Sequence, residues 1–530
     1  MSDASEGSGE GGAGGAAPPP GGGSRTPSWA APPDPRRWWA LVVIAIAQLM
    51  VVLDATIVNI ALPSAQRDLG ISDTNRQWVV TAYTLAFGGL LLLGGRIADL
   101  VGRKRTFMVG LVGFAVASGL GGAAGSPWLL FGARALQGAF GALLAPSALS
   151  LLTTTFTLGK ERSKAFGIYG AIAGGGAAIG LIAGGLLTEY LDWRWCLYVN
   201  VPVAAVALAG ATVLLHDNRE RGGARLDVPG VLLGCGGLLA LVYGCSEARP
   251  HGWGDGRVIG LLVGGAALLA LFARWQTRAP YPLLPLHIVR DRNRGGAFLT
   301  MALAVIALFG MFLFLSYYLQ TVLGYSPIKT GLAFLPMTAA IIIGSTQISA
   351  RLLHRLPPRL LMVPGALLAA TGLHTLTYLT ARPAYVSHVL PAELLVGLGM
   401  GLIFMPVLAT ATSGVAPQDS GVTSATVNTA QQVGGSIGTA LLNTIATSTS
   451  ASFIAAHLAH AARRTGGHGV PPALRNGIVK NGLVDGFTVA IGVGSAIMLL
   501  AALTAGLMVN ARPPKQAVPA PPARVSGARR

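Results

Sequence analysis

Three ionisable residues stand inside long apolar runs of this chain: Asp54 in Leu53-Asp54-Ala55-Thr56-Ile57-Val58-Asn59, Arg134 in Arg134-Ala135-Leu136-Gln137-Gly138, and Glu393 near the start of the run 388–411. Charges in hydrocarbon are expensive, so such residues are functional candidates by default. A carboxyl in an apolar cavity can take up and release a proton near neutral pH, and a nearby arginine opposes that uptake. If the surroundings of the carboxyl change between two conformations, proton binding becomes tied to movement. Asp54 is therefore expected to carry a proton or bind a cationic substrate, with Arg134 setting its affinity. Gln137, Asn59 and Glu393 complete the candidate cavity. The bland alternatives are an Asp–Arg pair that only fixes helix packing, and a Glu393 that snorkels to the outer surface.

Depth supports a meeting of these charges. At 1.5 Å per residue, Asp54 lies roughly 24 Å in from one face and Arg134 roughly 9 Å in from the other. In a core of about 30 Å the two levels nearly coincide. Glu393 enters at a similar outer depth, so the three residues are expected to share one polar cavity.

The elements that must hold them are membrane helices. Hydrophobic residues make up 52% of the chain and charged residues only 11%, against roughly 25% in a soluble domain. The 73 glycines also suit membrane helices. Fourteen apolar runs are long enough to cross a bilayer: 38–61, 78–97, 106–125, 128–151, 165–187, 196–215, 228–247, 257–275, 296–318, 331–350, 359–380, 388–411, 424–447 and 484–508. The run 424–447 is the most polar, being rich in Thr, Ser, Gln and Asn. With the N-terminus inside, 26 of the 38 Lys and Arg residues fall on the cytoplasmic side and 11 outside, as the positive-inside rule requires. Arg134 lies within a span. Cytoplasmic clusters include Arg103-Lys104-Arg105, Lys160/Arg162/Lys164, Arg219/Arg221/Arg225 and Arg290/Arg292/Arg294. The external loop 451–483, with Arg463, Arg464, Arg475 and Lys480, is the main exception.

Several other classes are disfavoured. The net charge of +18 sits in short clusters between apolar runs, which fits topology and gives no nucleic-acid footprint. No GxxxxGK[ST] phosphate loop occurs, so ATP-driven export is not indicated. No nucleophile–base arrangement or metal-ligand spacing suggests an enzyme or a metal site, and no cofactor is expected beyond a proton gradient as energy source. His457, His460 and His468 read as part of a solvated external loop. Cys196, Cys235 and Cys245 read as small buried hydrophobes. Residues 1–37 and 511–530, rich in Gly, Pro, Ala and Arg, read as disordered cytoplasmic tails.

The spans carry the marks of an internal repeat, the alternative being chance similarity in a Gly- and Ala-rich chain. Gly176-Ala177-Ala178-Ile179-Gly180 resembles Gly434-Gly435-Ser436-Ile437-Gly438, and Gly141 and Pro146 match Gly401 and Pro406 at nearly the same offset. Transporter folds are commonly built from such repeats. The chain is accordingly divided into a six-helix bundle at 38–216, two inserted helices at 226–275 and a second six-helix bundle at 296–510. Between spans 2 and 3, Gly95, Asp99, Gly102, Arg103 and Lys104 can form a charge latch against neighbouring helix ends; the alternative, a topogenic positive loop, explains the basic residues but not Gly95, Asp99 and Gly102. Gly176, Gly180, Gly184 and Gly185 form a small-residue seam that lets two backbones approach.

Together these motifs resemble the fourteen-span drug:proton antiporters of the major facilitator superfamily. The segment Leu53–Pro63 is similar to that family's first-span signature, Gly95–Arg105 to its loop motif, and Arg134, Gln137 and Gly138 to its fourth-span motif. Trp193-Arg194-Trp195 with Asn200-Val201-Pro202, and Gln320–Pro327, resemble further family segments; the likeness covers roughly 38–510. The resemblance implies a major facilitator fold, a bacterial cytoplasmic membrane location with both termini inside, and a monomer that exchanges protons for drugs or related amphipaths. Export of a dedicated metabolite, lipid or siderophore is the alternative transport reading. One departure stands out: the family places proline after the glycine of its fifth span, and here Gly180 is followed by Leu181, so the proline kink is missing.

Overall fold

The computed structural model describes residues 35–72, 75, 78–156, 159–216, 226–380, 385–464 and 471–511. Most of both tails, the cluster Arg219/Arg221/Arg225 and His468 lie outside these residues. The described chain is helical, in the order α1 (Arg37–Leu69), α2 (Trp78–Val101), α3 (Arg103–Gly122), α4 (Pro127–Thr155), α5 (Gly159–Tyr190), the short α6 (Trp195–Tyr198) and α7 (Asn200–Leu214). Two helices follow, α8 (Val228–His251) and α9 (Gly256–Gln276). The second half comprises α10 (Leu286–Arg290), α11 (Arg292–Tyr317), α12 (Pro327–Ala333), α13 (Leu335–Ile342), α14 (Ala350–Leu352), α15 (Arg359–Leu376), α16 (Leu390–Ala411), α17 (Ser420–Arg464) and α18 (Pro472–Met508). Wide π-helical turns at Tyr318–Val322, Ile343–Ser349 and Tyr385–Val389 adjoin α11, α13 and α16.

Twelve of the described helices are long and apolar enough to cross a membrane, or thirteen when the two arms of α5 count as one bent span. Their outward faces carry large exposed apolar side chains such as Leu232, Val213 and Val263, a pattern that needs lipid as solvent. The fourteenth expected span lies in α17, which is too polar to reach the same hydropathy. Many of its hydroxyls are nevertheless satisfied within the helix, although that of Thr429 is buried without a partner. Thr423, Ser424, Thr426, Ser436, Thr439 and Thr444 each donate to the carbonyl four residues earlier, at 2.7–2.9 Å. Back-bonded hydroxyls hide their polarity from an apolar neighbour.

Two expectations are corrected. Residues 451–464 and 472–483 continue α17 and α18 as helix, so the external loop is in large part a helical hairpin that carries His457 and His460. At 45 residues α17 measures about 68 Å, more than twice the bilayer core. The Ala-rich stretch 455–462 favours helix strongly enough to extend the span into water. The fifth span is also kinked without proline: its arms Lys160–Gly176 and Ile179–Tyr190 diverge by 49°. The break follows Gly174-Gly175-Gly176, and glycine runs are an established cause of helix kinks.

The halves pack by the same plan. Helix α5 lies on α1 and α4 on α2 in the first half; α17 lies on α11 and α16 on α13 in the second. Glycines mark the corresponding contacts. A Cβ on Gly138 would strike the carbonyl oxygen of Tyr83 in α2, and one on Gly397 would strike that of Met337 in α13. Likewise Gly180 approaches the Leu53 carbonyl of α1, and Gly438 the Ile306 carbonyl of α11. The inserted α8 packs on α2 and α17, one helix from each half. Its Ser246 meets Thr81 of α2 at 3.3 Å, and Trp253, just beyond it, donates to Thr444 of α17 at 2.8 Å.

Candidate functional site

Asp54 and Arg134 are brought together in the first half. Arg134 Nη1 donates to Asp54 Oδ2 at 2.6 Å, and the two side chains are 1% and 0% exposed. Asp54 Oδ1 also accepts from Gln137 Nε2 at 3.0 Å and from Asn200 Nδ2 at 2.8 Å. Four helices build this centre: α1 supplies the carboxyl, α4 the arginine and glutamine, α3 Ser118, and α7 Asn200. Ser118 accepts from Gln137 Nε2 at 2.6 Å. Arg134 is held further by its Nε donating to the Val79 carbonyl at 3.0 Å and by the face of Tyr83, 4.4 Å from its guanidinium carbon. Three donors thus converge on one carboxyl group. Asn59 lies one turn further along α1, and its side chain is outside the described residues.

The glycine seam sets the position of α1. Cβ atoms placed on Gly176, Gly180 and Gly184 would meet Val52, Thr56 and Ile57, the α1 residues that flank Asp54. Gly185 points elsewhere: it sits against Ile328 of α12, in the second half. Thus three seam glycines press α5 onto the helix of Asp54, and the fourth joins the halves.

At the end of the molecule where α2 meets α3, the halves are sealed. Gly95 of α2 and Gly421 of α17 approach backbone to backbone. Asp99 accepts from the N–H groups of Gly421 and Val422 at 2.8 and 3.0 Å, capping the N-terminus of α17. Ser150 and Ser420 hydroxyls meet at 2.7 Å. Arg162 of α5 donates to the carbonyl and hydroxyl oxygens of Thr412, beyond α16. Gly102 adopts φ 112°, open to glycine, and lets the chain turn into α3. Arg103 approaches Asp99 at 3.9 Å. Lys104 turns the other way and donates to the Thr212 and Leu215 carbonyls at the C-terminal end of α7. Asp99 and Lys104 therefore engage opposite helix poles, Asp99 across the halves and Lys104 within the first.

Glu393 stands apart from the Asp54 centre. It is fully buried in the second half, and among the described residues no hydrogen bond or ion pair joins it to Asp54 or Arg134. Oε2 accepts from the Tyr385 hydroxyl at 3.3 Å, and Oε1 has no hydrogen-bond partner. The depth estimate placed all three residues at one level, but depth carries no information about lateral position.

Asn200, Ser118, Tyr83 and Tyr385 were not singled out for these roles in the sequence. Asn200 carried the clearest signal, as an amide beginning an apolar helix. The free thiols of Cys196, Cys235 and Cys245 are buried, as expected.

Comparison with known proteins agrees with this architecture. Residues 44–439 match the family model described as Major Facilitator Superfamily. The chain is 56% identical to the puromycin resistance protein pur8 of Streptomyces alboniger, over 89% of this chain and 91% of that one. It is 40% identical to the cephamycin export protein CmcT of Amycolatopsis lactamdurans, over 78% and 86% of the two chains. The tetracenomycin C resistance and export protein of Streptomyces glaucescens is 37% identical, over 76% and 74%. The human organic anion transporter MFSD10 superimposes with a TM-score of 0.60 over 90% of this chain and all of that one; at 13% identity this likeness concerns the fold. The chain is a multi-pass membrane transporter and belongs to the major facilitator superfamily.

Proposed function

We propose that this transporter exports antibiotic-like amphipathic molecules across a bacterial cytoplasmic membrane in exchange for protons. Puromycin, named in the relative at 56% identity, is the first substrate to test. The observation that carries the coupling is the buried Asp54 carboxylate with its arginine and two amide donors. Protonating Asp54 cancels its attraction for Arg134 and removes an acceptor from Gln137 and Asn200. A buried ion pair broken from one side is strongly destabilised, so the site must rearrange or rehydrate. Because α5 is pressed onto α1 beside Asp54 and also contacts α12, such a rearrangement has a path to the interface between halves.

In this reading the sealed end faces the cytoplasm, which its cluster of Arg and Lys residues supports. Asp99 acts as a latch on α17, closed while the outer side receives a proton and releases substrate. Opening toward the cytoplasm breaks the Asp99, Ser150 and Arg162 contacts, frees the proton and admits the next substrate. The transporter works as a monomer in lipid.

Cellular accumulation tests the proposal. In a pump-deficient bacterial host, expression is expected to lower puromycin accumulation, and an uncoupler is expected to restore it. Unchanged accumulation, or lowered accumulation that survives the uncoupler, contradicts it.

A further inference from the structure

The repeat pairs Arg134 with Glu393. The offset of 259 that carries Gly138 to Gly397, two glycines with matching contacts, also carries Arg134 to Glu393. The same comparison carries Tyr83 to Met337, hence Val79 to Ala333, and Leu53 to Ile306, hence Asp54 to Ala307. In the first half Arg134 holds the Val79 carbonyl and the Asp54 carboxylate. In the second half Ala307 offers no charge, the arginine is replaced by a carboxyl, and the Ala333 carbonyl accepts from Tyr385 at 2.7 Å. Glu393 is thus a buried acid whose position in the repeat has lost its ion partner.

Tyr385 links this acid to the interface. Its hydroxyl has one hydrogen and two acceptors, Ala333 O at 2.7 Å and Glu393 Oε2 at 3.3 Å. A protonated Glu393 is itself a donor and leaves that hydrogen to Ala333; an ionised Glu393 competes for it. Ala333 ends α12, just before the break at Phe334, and α12 contacts α5 of the other half through Ile328 on Gly185 and Gly331 on Ile182.

Among the described residues no cation forms an ion pair with Glu393; Arg382, three places before Tyr385 in the chain, lies outside them. Helix α13 and the π-turn Ile343–Ser349 have no titratable residue. Helix α15 carries Arg359 at its far end and an exposed His374 against Tyr378. Helix α11 holds its arginines at the sealed end, with Tyr317 exposed at the other. Helix α5 has Lys160, Glu161, Arg162 and Lys164 at the sealed end, Tyr169 bound to Gln48, and Glu189 and Tyr190 exposed. Helix α17 bears none before His457. On the turn with Tyr385, His388 is exposed and bonded to Ser387. Nearby on the chain, Lys329 stacks on Tyr325, whose ring lies 6.3 Å from that of Tyr385.

We infer that Glu393 is a second proton-binding carboxyl, and that Tyr385 transmits its charge to the α12–α13 break by moving one hydrogen bond between Glu393 and Ala333. The step is a simple ionisation: the Glu393 O–H bond breaks, the electron pair stays on the carboxylate, and the proton leaves to water, on the cytoplasmic side in the exchange reading. The use of this proton in transport rests on the exchange reading above; its binding does not.

Infrared titration of the purified full-length protein tests this, with protons as the probe. The wild type is expected to show a protonated-carboxyl C=O band that is lost as pH rises. Glu393→Gln should remove that band, Tyr385→Phe should shift its frequency and midpoint, and Asp54→Asn should retain it. Backbone amide exchange over 327–342 should lose its pH-dependent component in both Glu393→Gln and Tyr385→Phe. A band unchanged in Glu393→Gln, or a frequency, midpoint and exchange profile unchanged in Tyr385→Phe, overturns the inference. Failure here leaves puromycin-driven proton exchange intact, and failure of that exchange leaves the band intact, so the two outcomes are distinguishable.

Discussion

Asp54 on α1 and Arg134 on α4 form a fully buried ion pair, 2.6 Å between Oδ2 and Nη1, beside the seam where α5 presses on α1. Isolated, such a pair contributes little net stability, because desolvation offsets the Coulomb attraction. In the proton-exchange reading proposed above, its value lies in being switchable by one proton.

The amide donors are expected to matter nearly as much as the arginine. Hydrogen bonds to a charged group contribute about 1.5–3 kcal/mol, so Asn200→Ala should lower puromycin export roughly tenfold or more. Gln137→Ala should have a similar effect. Thermal stability, measured in parallel, should fall by no more than about 1.5–3 kcal/mol, and export is compared per folded transporter.

The seam gives a packing prediction. A side chain at Gly180 collides with Thr56, so Gly180→Val should destabilise the protein by about 1–3 kcal/mol. Thermal unfolding in detergent reads the loss. Adding Thr56→Ala should recover part of it, whereas an additive double variant would show that the two side chains do not meet.

The seal at Asp99 makes a prediction about conformation. Ser150 and Ser420 are 2.7 Å apart, Oγ to Oγ, so cysteines at both positions should be joined by a short bifunctional thiol reagent. The link should stop export and its reduction should restore it. Adding Asp99→Ala, which leaves the Gly421 and Val422 N–H groups without their acceptor, should reduce cross-linking several-fold through a loss of about 1–3 kcal/mol.

Asp227, at the head of the inserted hairpin, gives a pH prediction. Burial opposes its charge, but donors from Trp275, Gly230 and Gln276 outweigh burial and hold its carboxyl below the usual range. A lowered folded value means stability that is present above the unfolded value, about 3.9, and lost as pH falls through the folded one. Wild type should therefore melt higher than Asp227→Asn at pH 7, and the gap should close below about pH 4.

The pair at the centre was legible because both charges interrupt apolar runs and helical rise fixes their depth. The repeat was legible because glycine spacing records where backbones touch: Gly138 and Gly397 contact equivalent carbonyls. Lateral position is not legible from depth, and among the described residues no hydrogen bond or ion pair joins Glu393 to Asp54 or Arg134. Tyr385 carries no signal in the sequence because it sits in a short connection and its nearer acceptor, Ala333, is a main-chain carbonyl. The kink in α5 shows that Leu181 in place of proline does not forbid a bend where three glycines precede it. The full length of α17 is hard to read from sequence because Arg and His suggest a solvated loop, while the alanines between them favour helix.

Puromycin-driven proton movement in proteoliposomes tests the central claim most directly. Puromycin added to the wild-type protein, with a pH-sensitive dye in the lumen, should move protons in the direction opposite to the drug, and Asp54→Asn should abolish the signal while folding normally. Full puromycin-driven proton movement in Asp54→Asn would contradict the account.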